Sequence, residues 1–201
     1  MMPDLPLPPR DWWRVLGGWG MAVLCPLFVG WALAVGAPPA ATAALIVFAL
    51  LLCALTVVDL KYYLLPDVFV LPGLALGLVL SPWALGMPWQ NSVAGAAVGF
   101  LFFGGLKWGY ARWRGREGLG LGDVKLLACL GAWVGATNLP LVLLLASALA
   151  LPASWVAQRT RGAHAPIPFG PALALGAWLT LLYSPALWNA VVAFRLMFGQ
   201  N

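Results

Sequence analysis

At 201 residues, 63% hydrophobic and only 8% charged, the chain lacks the polar surface a soluble monomer needs, so its composition implies a multi-span membrane protein. Continuous apolar runs such as Ala44 to Leu55 exclude the alternating strands of a β-barrel. The net charge of +5 is spread over short segments between apolar runs, which reads as a topology signal and contact with anionic lipid headgroups, not as a nucleic-acid surface.

The predicted fold is all-α: a polytopic helical membrane protein with seven or eight transmembrane segments and a cytoplasmic N-terminus. Residues 1–12 form a cytoplasmic tail, and 13–201 form a single transmembrane domain. Spans are expected at about 13–36, 40–58, 67–86, 91–111, 124–138, 139–157 and 169–183. A further run at 186–198 fits either an eighth span or an interfacial helix. The first span follows Arg10 and Arg14 but is too long and too rich in Trp for a cleaved signal, so it reads as a retained anchor. The fifth is short, and only the Thr137-Asn138-Leu139-Pro140 stretch separates it from the sixth, so a close helical hairpin is expected there.

Orientation follows from the basic residues, because short loops rich in Lys and Arg stay in the cytoplasm. Arg10 and Arg14 lie at the N-terminus, and Lys61 lies between the second and third spans. Lys107, Arg112, Arg114, Arg116 and Lys125 surround the fourth connection, and Arg159 and Arg161 follow the sixth span. The alternate connections, around Pro38, Pro88 and Asn138, carry no charge. Most of the twelve tryptophans, Trp12, Trp13, Trp83 and Trp89 among them, fall near segment ends as interfacial anchors, with others available to pack between helices.

Only six residues are acidic. Asp4 and Asp11 belong to the tail, and Glu117 sits among arginines as a solvated surface residue. Asp59 closes the apolar run Ala54 to Val58, and Asp123 opens the run Val124 to Ala128, so both lie where cytoplasm meets membrane on the same side. An ionisable group at such a boundary is costly, and a functional role is its default reading, against interfacial capping or topology marking. Two neighbouring carboxyls cannot both ionise freely; one keeps a proton while the other takes a proton from water. That pairing suits hydrolysis of a peptide bond without a metal or a covalent nucleophile. The run Gly118-Leu119-Gly120-Leu121-Gly122 before Asp123 resists helix formation and offers an unobstructed track for an extended substrate backbone. A phosphate-binding loop is excluded, since no Gly-Lys-Ser/Thr ending follows.

Gly120-Leu121-Gly122-Asp123, continued by Val124-Lys125-Leu126-Leu127-Ala128, resembles the Gly-x-Gly-Asp motif of the type IV prepilin peptidases. The stretch from Asp59 to Pro66-Asp67 is similar to the segment around that family's first aspartate, and Pro166 to Ala174 to its segment before a late span. The resemblance covers about Asp59 to Gly176. It implies a membrane aspartic endopeptidase of the bacterial inner membrane, with Asp59 and Asp123 as the catalytic pair. Its partners would be prepilin or pseudopilin precursors, cut after a glycine on the cytoplasmic side. Gly120, Gly122, Asp67 and Lys125 are expected to support the site. For Asp67 the competing reading is an N-cap of the third span, and for Lys125 the choice lies between tuning the charge of Asp123 and meeting lipid phosphate.

The chain departs from the family at Lys61, where many members carry a second acidic residue. It also shows no Cys-x-x-Cys region of the kind associated with zinc and N-methylation, so neither metal, cofactor nor methyltransferase activity is expected. Cys25, Cys53 and Cys129 sit singly in apolar runs as small buried residues. His164, the one histidine, reads as a solvated loop residue. Two rival functions use the same residues: a non-enzymatic component of a pilus or secretion machine, and a proton-coupled transporter whose two aspartates line a path open to both sides.

Overall fold

The computed structural model describes residues 19–34, 36–115, 120–161 and 168–184. The N-terminal tail with the start of the first span, Glu117 and Gly118, His164, Pro166 with Ile167, and the 186–198 run lie outside the described residues. Among the described residues there are seven helices and no strand. They are α1 Trp19–Ala34, α2 Pro39–Tyr62, α3 Asp67–Ala84, α4 Trp89–Arg114, α5 Leu121–Val134, α6 Leu139–Arg161 and α7 Gly170–Leu182.

Over the described residues each of the seven predicted segments coincides with one helix, with the described ends displaced by a few residues. Helices α2, α3 and α4 are long and apolar enough to cross a membrane, and the chain is a membrane protein. By contrast, α5 has 14 residues and α7 has 13. At about 1.5 Å per residue each reaches only about 20 Å, short of a hydrocarbon core of about 30 Å.

Local chemistry sets the ends. Pro39 opens α2 at a position whose N–H would have no intrahelical partner. The same helix closes on Tyr63, a non-glycine residue at φ 53° whose N–H reaches the Asp59 carbonyl at 2.8 Å. This left-handed residue turns the chain sharply, and Pro66 then leads into α3. Gly115, at φ 66°, ends α4 in the left-handed conformation that glycine adopts freely.

Helix α5 is the hub. From Leu126 to Val134 every residue is buried, and the helix packs against α4, α3 and α7. The closest approach, to α4, is made by glycine: a methyl group on Gly95 would strike the Gly131 carbonyl, and one on Gly131 would strike that of Gly95. Small residues at such a seam let two backbones meet, which is how helices gain packing where lipid supplies no hydrophobic drive. Ser92 Oγ donates to the Ala132 carbonyl at 2.7 Å and Ser81 Oγ to that of Trp133 at 3.2 Å, joining α4 and α3 to the hub. Trp133 Nε1 donates to the Gly73 carbonyl at 2.9 Å, and its ring stacks on Phe48 of α2 with centroids 4.6 Å apart. Trp178 of α7 lies beyond Phe48 and meets Phe28 of α1 edge-on. These two tryptophans are core residues, whereas Trp83, Trp89, Trp108 and Trp113 are exposed as anchors would be.

The expected α5–α6 hairpin is not formed. After Gly135 the chain is drawn to the start of α4, where the Ala136 N–H reaches the Asn91 carbonyl at 3.2 Å and Asn91 Nδ2 reaches Thr137 Oγ1 at 3.3 Å. Helix α6 then packs mainly on α7. The glycine seam explains the outcome, since it brings α4 closer to α5 than a leucine-rich α6 could come.

Candidate active site

Asp59 lies in the last turn of α2 and is only 5% exposed. Its Oδ2 accepts the backbone N–H of Gly170, the first residue of α7, at 3.0 Å. An N–H in the first turn of a helix has no intrahelical acceptor, so it is free to hold a carboxylate, and the helix dipole favours the contact. A Cβ on residue 170 would stand 2.6 Å from Asp59 Oδ2, so a side chain there would force Asp59 or the helix start to shift.

Asp123 occupies the first turn of α5, half-buried, after Gly120 has brought the chain in extended. Its carboxyl lies near enough to that of Asp59 for the two like charges to repel when both are ionised. The structure therefore places the two sequence-predicted aspartates together, at the end of the bundle where α2 stops and both α5 and α7 begin. Gly104 of α4 stands beside Val124 of α5, and Gly176 of α7 beside Val142 to Ala146 of α6, so α4 and α6 run on past the starts of α5 and α7. The carboxyl pair sits at the floor of that step.

Gly122 is already helical, and a Cβ there would stand 3.0 Å from the Leu65 side chain, so it packs against the α2–α3 connection. Gly120 is exposed, and a Cβ there would meet nothing closer than Asp123 Oδ2 at 3.7 Å, so open space remains on that side. Asp67 does not cap α3, for Pro66 is the N-cap and no side-chain cap bond is made. Instead both of its carboxylate oxygens take Lys125 Nζ, at 2.8 and 2.7 Å. Lys125 thereby ties the start of α3 to the first turns of α5, two residues beyond Asp123.

Gly170 and its neighbour Phe169 were not singled out by residue chemistry, though both fall in the Pro166 to Ala174 stretch that the family resemblance marked. A glycine at a helix start after two prolines is the only local signal, and it does not name a partner 111 residues away. Among the described residues no group of three or more His, Cys, Asp or Glu side chains gathers at one point. Cys25 of α1 and Cys53 of α2 are both free thiols.

A family model described as the type IV leader peptidase family matches residues 46–154 of this chain, a span that contains both aspartates. A prepilin leader peptidase/N-methyltransferase of Stutzerimonas stutzeri is 39% identical over 145 residues, which are 71% of this chain and 50% of that protein. Proteins of the same name from Pseudomonas putida and Dichelobacter nodosus are each 41% identical, covering 68% and 69% of this chain and 48% of each relative. The chain spans about half the length of the curated relatives it matches. No solved structure matches it.

Proposed function

Because the chain belongs to the type IV leader peptidase family, we propose that it is a membrane aspartic endopeptidase that removes the short basic leader from prepilin- or pseudopilin-type precursors. One observation carries this reading: Asp59 and Asp123, from helices far apart in sequence, meet at one end of the bundle with Asp59 held by the Gly170 N–H.

The chemistry follows from the pair. Two coupled carboxyls share one proton, because ionising both sets like charges side by side. The ionised member takes a proton from a water as the water oxygen bonds to the peptide carbonyl carbon. The protonated member hydrogen-bonds the carbonyl oxygen as negative charge develops on it. The intermediate collapses by breaking the C–N bond, and the leaving nitrogen takes a proton from the carboxyl pair, leaving one carboxylic acid and one amine as products. The step in helix length at the site supports entry of an extended peptide from the aqueous side, past Gly120.

In this reading the chain lies in the bacterial inner membrane with its N-terminus and its carboxyl pair toward the cytoplasm and seven or eight spans. Residues 1–12 form the tail, and 13–201 form one peptidase domain surrounded by lipid. The transporter alternative requires a polar route through the bundle. Below Asp123 the hub is apolar from Leu126 to Val134, and the buried hydroxyls Ser81, Ser92 and Thr180 are bonded to backbone carbonyls. That arrangement favours a site open to one side.

The test is cleavage of a prepilin-type precursor in membranes carrying wild type, Asp59→Asn or Asp123→Asn. General acid–base catalysis by a positioned group contributes about 10²–10⁴-fold, so each single change is expected to reduce processing by at least that range. Normal processing by either variant would refute the paired-aspartate assignment.

A further inference from the structure

The connection between α2 and α3, residues 63–66, links the two halves of the site. It begins one turn after Asp59, and its first residue is anchored there, because the Tyr63 N–H donates to the Asp59 carbonyl at 2.8 Å. Its other end meets the first turns of α5, on both sides of Asp123 in the sequence. Leu65 lies against Gly122, where a Cβ on residue 122 would stand 3.0 Å from Leu65 Cβ, 3.5 Å from Cδ1 and 3.7 Å from Cγ. Just past the connection, Asp67 holds Lys125.

The two contacts are unequal. The ion pair is 35% and 54% exposed, where solvent and salt screen it. Leu65 is buried and belongs to the main apolar core, so its carbons press on Gly122 from a close-packed wall that yields little. The missing side chain at 122 lets the leucine lie that close to the α5 backbone. Asp59 is fixed separately, through the Gly170 N–H of α7, so what remains to be set is the distance at which α5 brings Asp123 to it.

We propose that Leu65 is a positioning residue for the peptidase reaction: its side chain, seated on Gly122, sets the separation of Asp123 from Asp59. This rests on the peptidase reading and adds the residue that spaces the pair. Leu65 acts through the α5 backbone. A paired-carboxyl mechanism needs both members within reach of one water and one carbonyl, and a displacement near 1 Å costs about 10²-fold. A leucine that only fills the core changes stability when it is trimmed; one that spaces two helix ends changes the rate of the folded enzyme.

The experiment measures kcat and KM per folded enzyme on a prepilin-type precursor in detergent micelles. Leu65→Ala is expected to lower kcat about 10- to 100-fold with KM nearly unchanged. Leu139→Ala trims another buried leucine, at the start of α6 and away from the pair, and is expected to lower the unfolding temperature while keeping kcat. The deciding variant is Gly122→Ala, made in the wild type and in the Leu65→Ala chain. In the wild type the new methyl meets the full leucine and slows cleavage a few-fold. With Cγ and Cδ1 gone the connection can give way, and the methyl fills the vacated space, so the double variant is expected to cleave faster than Leu65→Ala alone. A double variant no faster than Leu65→Ala, wild-type kcat in Leu65→Ala, or an equal loss of kcat in Leu139→Ala would each overturn the positioning role. If Leu65→Ala does not fold, the same cycle with Leu65→Val decides by the same sign. Wild type that cleaves no precursor sinks the peptidase reading, whereas wild-type cleavage with multiplying losses sinks the role of Leu65 alone.

Discussion

Replacing Gly170 by alanine adds one methyl group where Asp59 Oδ2 stands 2.6 Å away, Asp59 Cγ 3.1 Å and Asp59 Cβ 3.4 Å. The contact meets the carboxyl itself and the wall behind it, so the Asp59 side chain must swing or α7 must retreat, and in either case the 3.0 Å bond from the Gly170 N–H is lost. A hydrogen bond to a charged group is worth roughly 1.5–3 kcal/mol, which is about one to two powers of ten in rate if the bond is needed to hold the base. A displacement near 1 Å independently costs about 10²-fold. Alanine is the better helix former, so secondary structure is not expected to suffer. Single-turnover cleavage in detergent micelles should show kcat reduced about 10- to 100-fold for Gly170→Ala with KM nearly unchanged. Two further variants grade the argument. Gly122→Ala, which meets the Leu65 Cβ at 3.0 Å, should lose only a few-fold, and Gly105→Ala, which meets nothing within 4 Å, should keep full rate. If Gly170→Ala cleaved as fast as Gly105→Ala, the Asp59–Gly170 contact would not position the pair.

Lys125→Ala or Asp67→Ala should reduce cleavage modestly, since the ion pair is partly exposed, at 35% and 54%, and such pairs are worth about 0.2–1 kcal/mol. The exchange of charges in Asp67→Lys with Lys125→Asp should recover part of the loss, and a double variant worse than the sum of the singles would refute the pairing. Reporter domains fused after Gly115 and after Pro88 should fall on opposite sides of the membrane, cytoplasmic for the first. Finding both on one side would break the N-inside topology.

What could be read in the sequence, and what could not, divides by range. The helices were legible because an apolar run of about 20 residues can do little else in a bilayer. The aspartate pair was legible because acids are so scarce that Asp59 and Asp123 stand out against apolar runs. Their meeting is a coupling of helix ends, and alternation of charged and neutral loops was enough to bring those ends to one side. Contacts decided by packing were not legible. Nothing near Lys125 indicates that it will find Asp67, 58 residues away, and Asp67 looked like a cap because it follows Pro66 at a helix start. The α5–α6 hairpin failed as a reading for the same reason: chain proximity suggested it, whereas the Gly95–Gly131 seam, visible only in three dimensions, drew α5 to α4.

The lengths of α5 and α7 tie the architecture to the chemistry. A carboxyl pair at the middle of a bilayer would lack water, and one at the surface would lack the shielding that couples its protons. In the proposed reading, helices of 14 and 13 residues that start at the pair place it between these limits, while α4 and α6, with 26 and 23 residues, run on past those starts. Their two N-termini converge there and supply free N–H groups, of which Gly170 uses one on Asp59. Lengthening α5 by a turn at its start would bury Gly120 under a helix and close the open side, and losing the turn would unseat Asp123. The extended Gly120 and the bare backbone of Gly170 therefore set where two helices begin, beside Asp123 and Asp59.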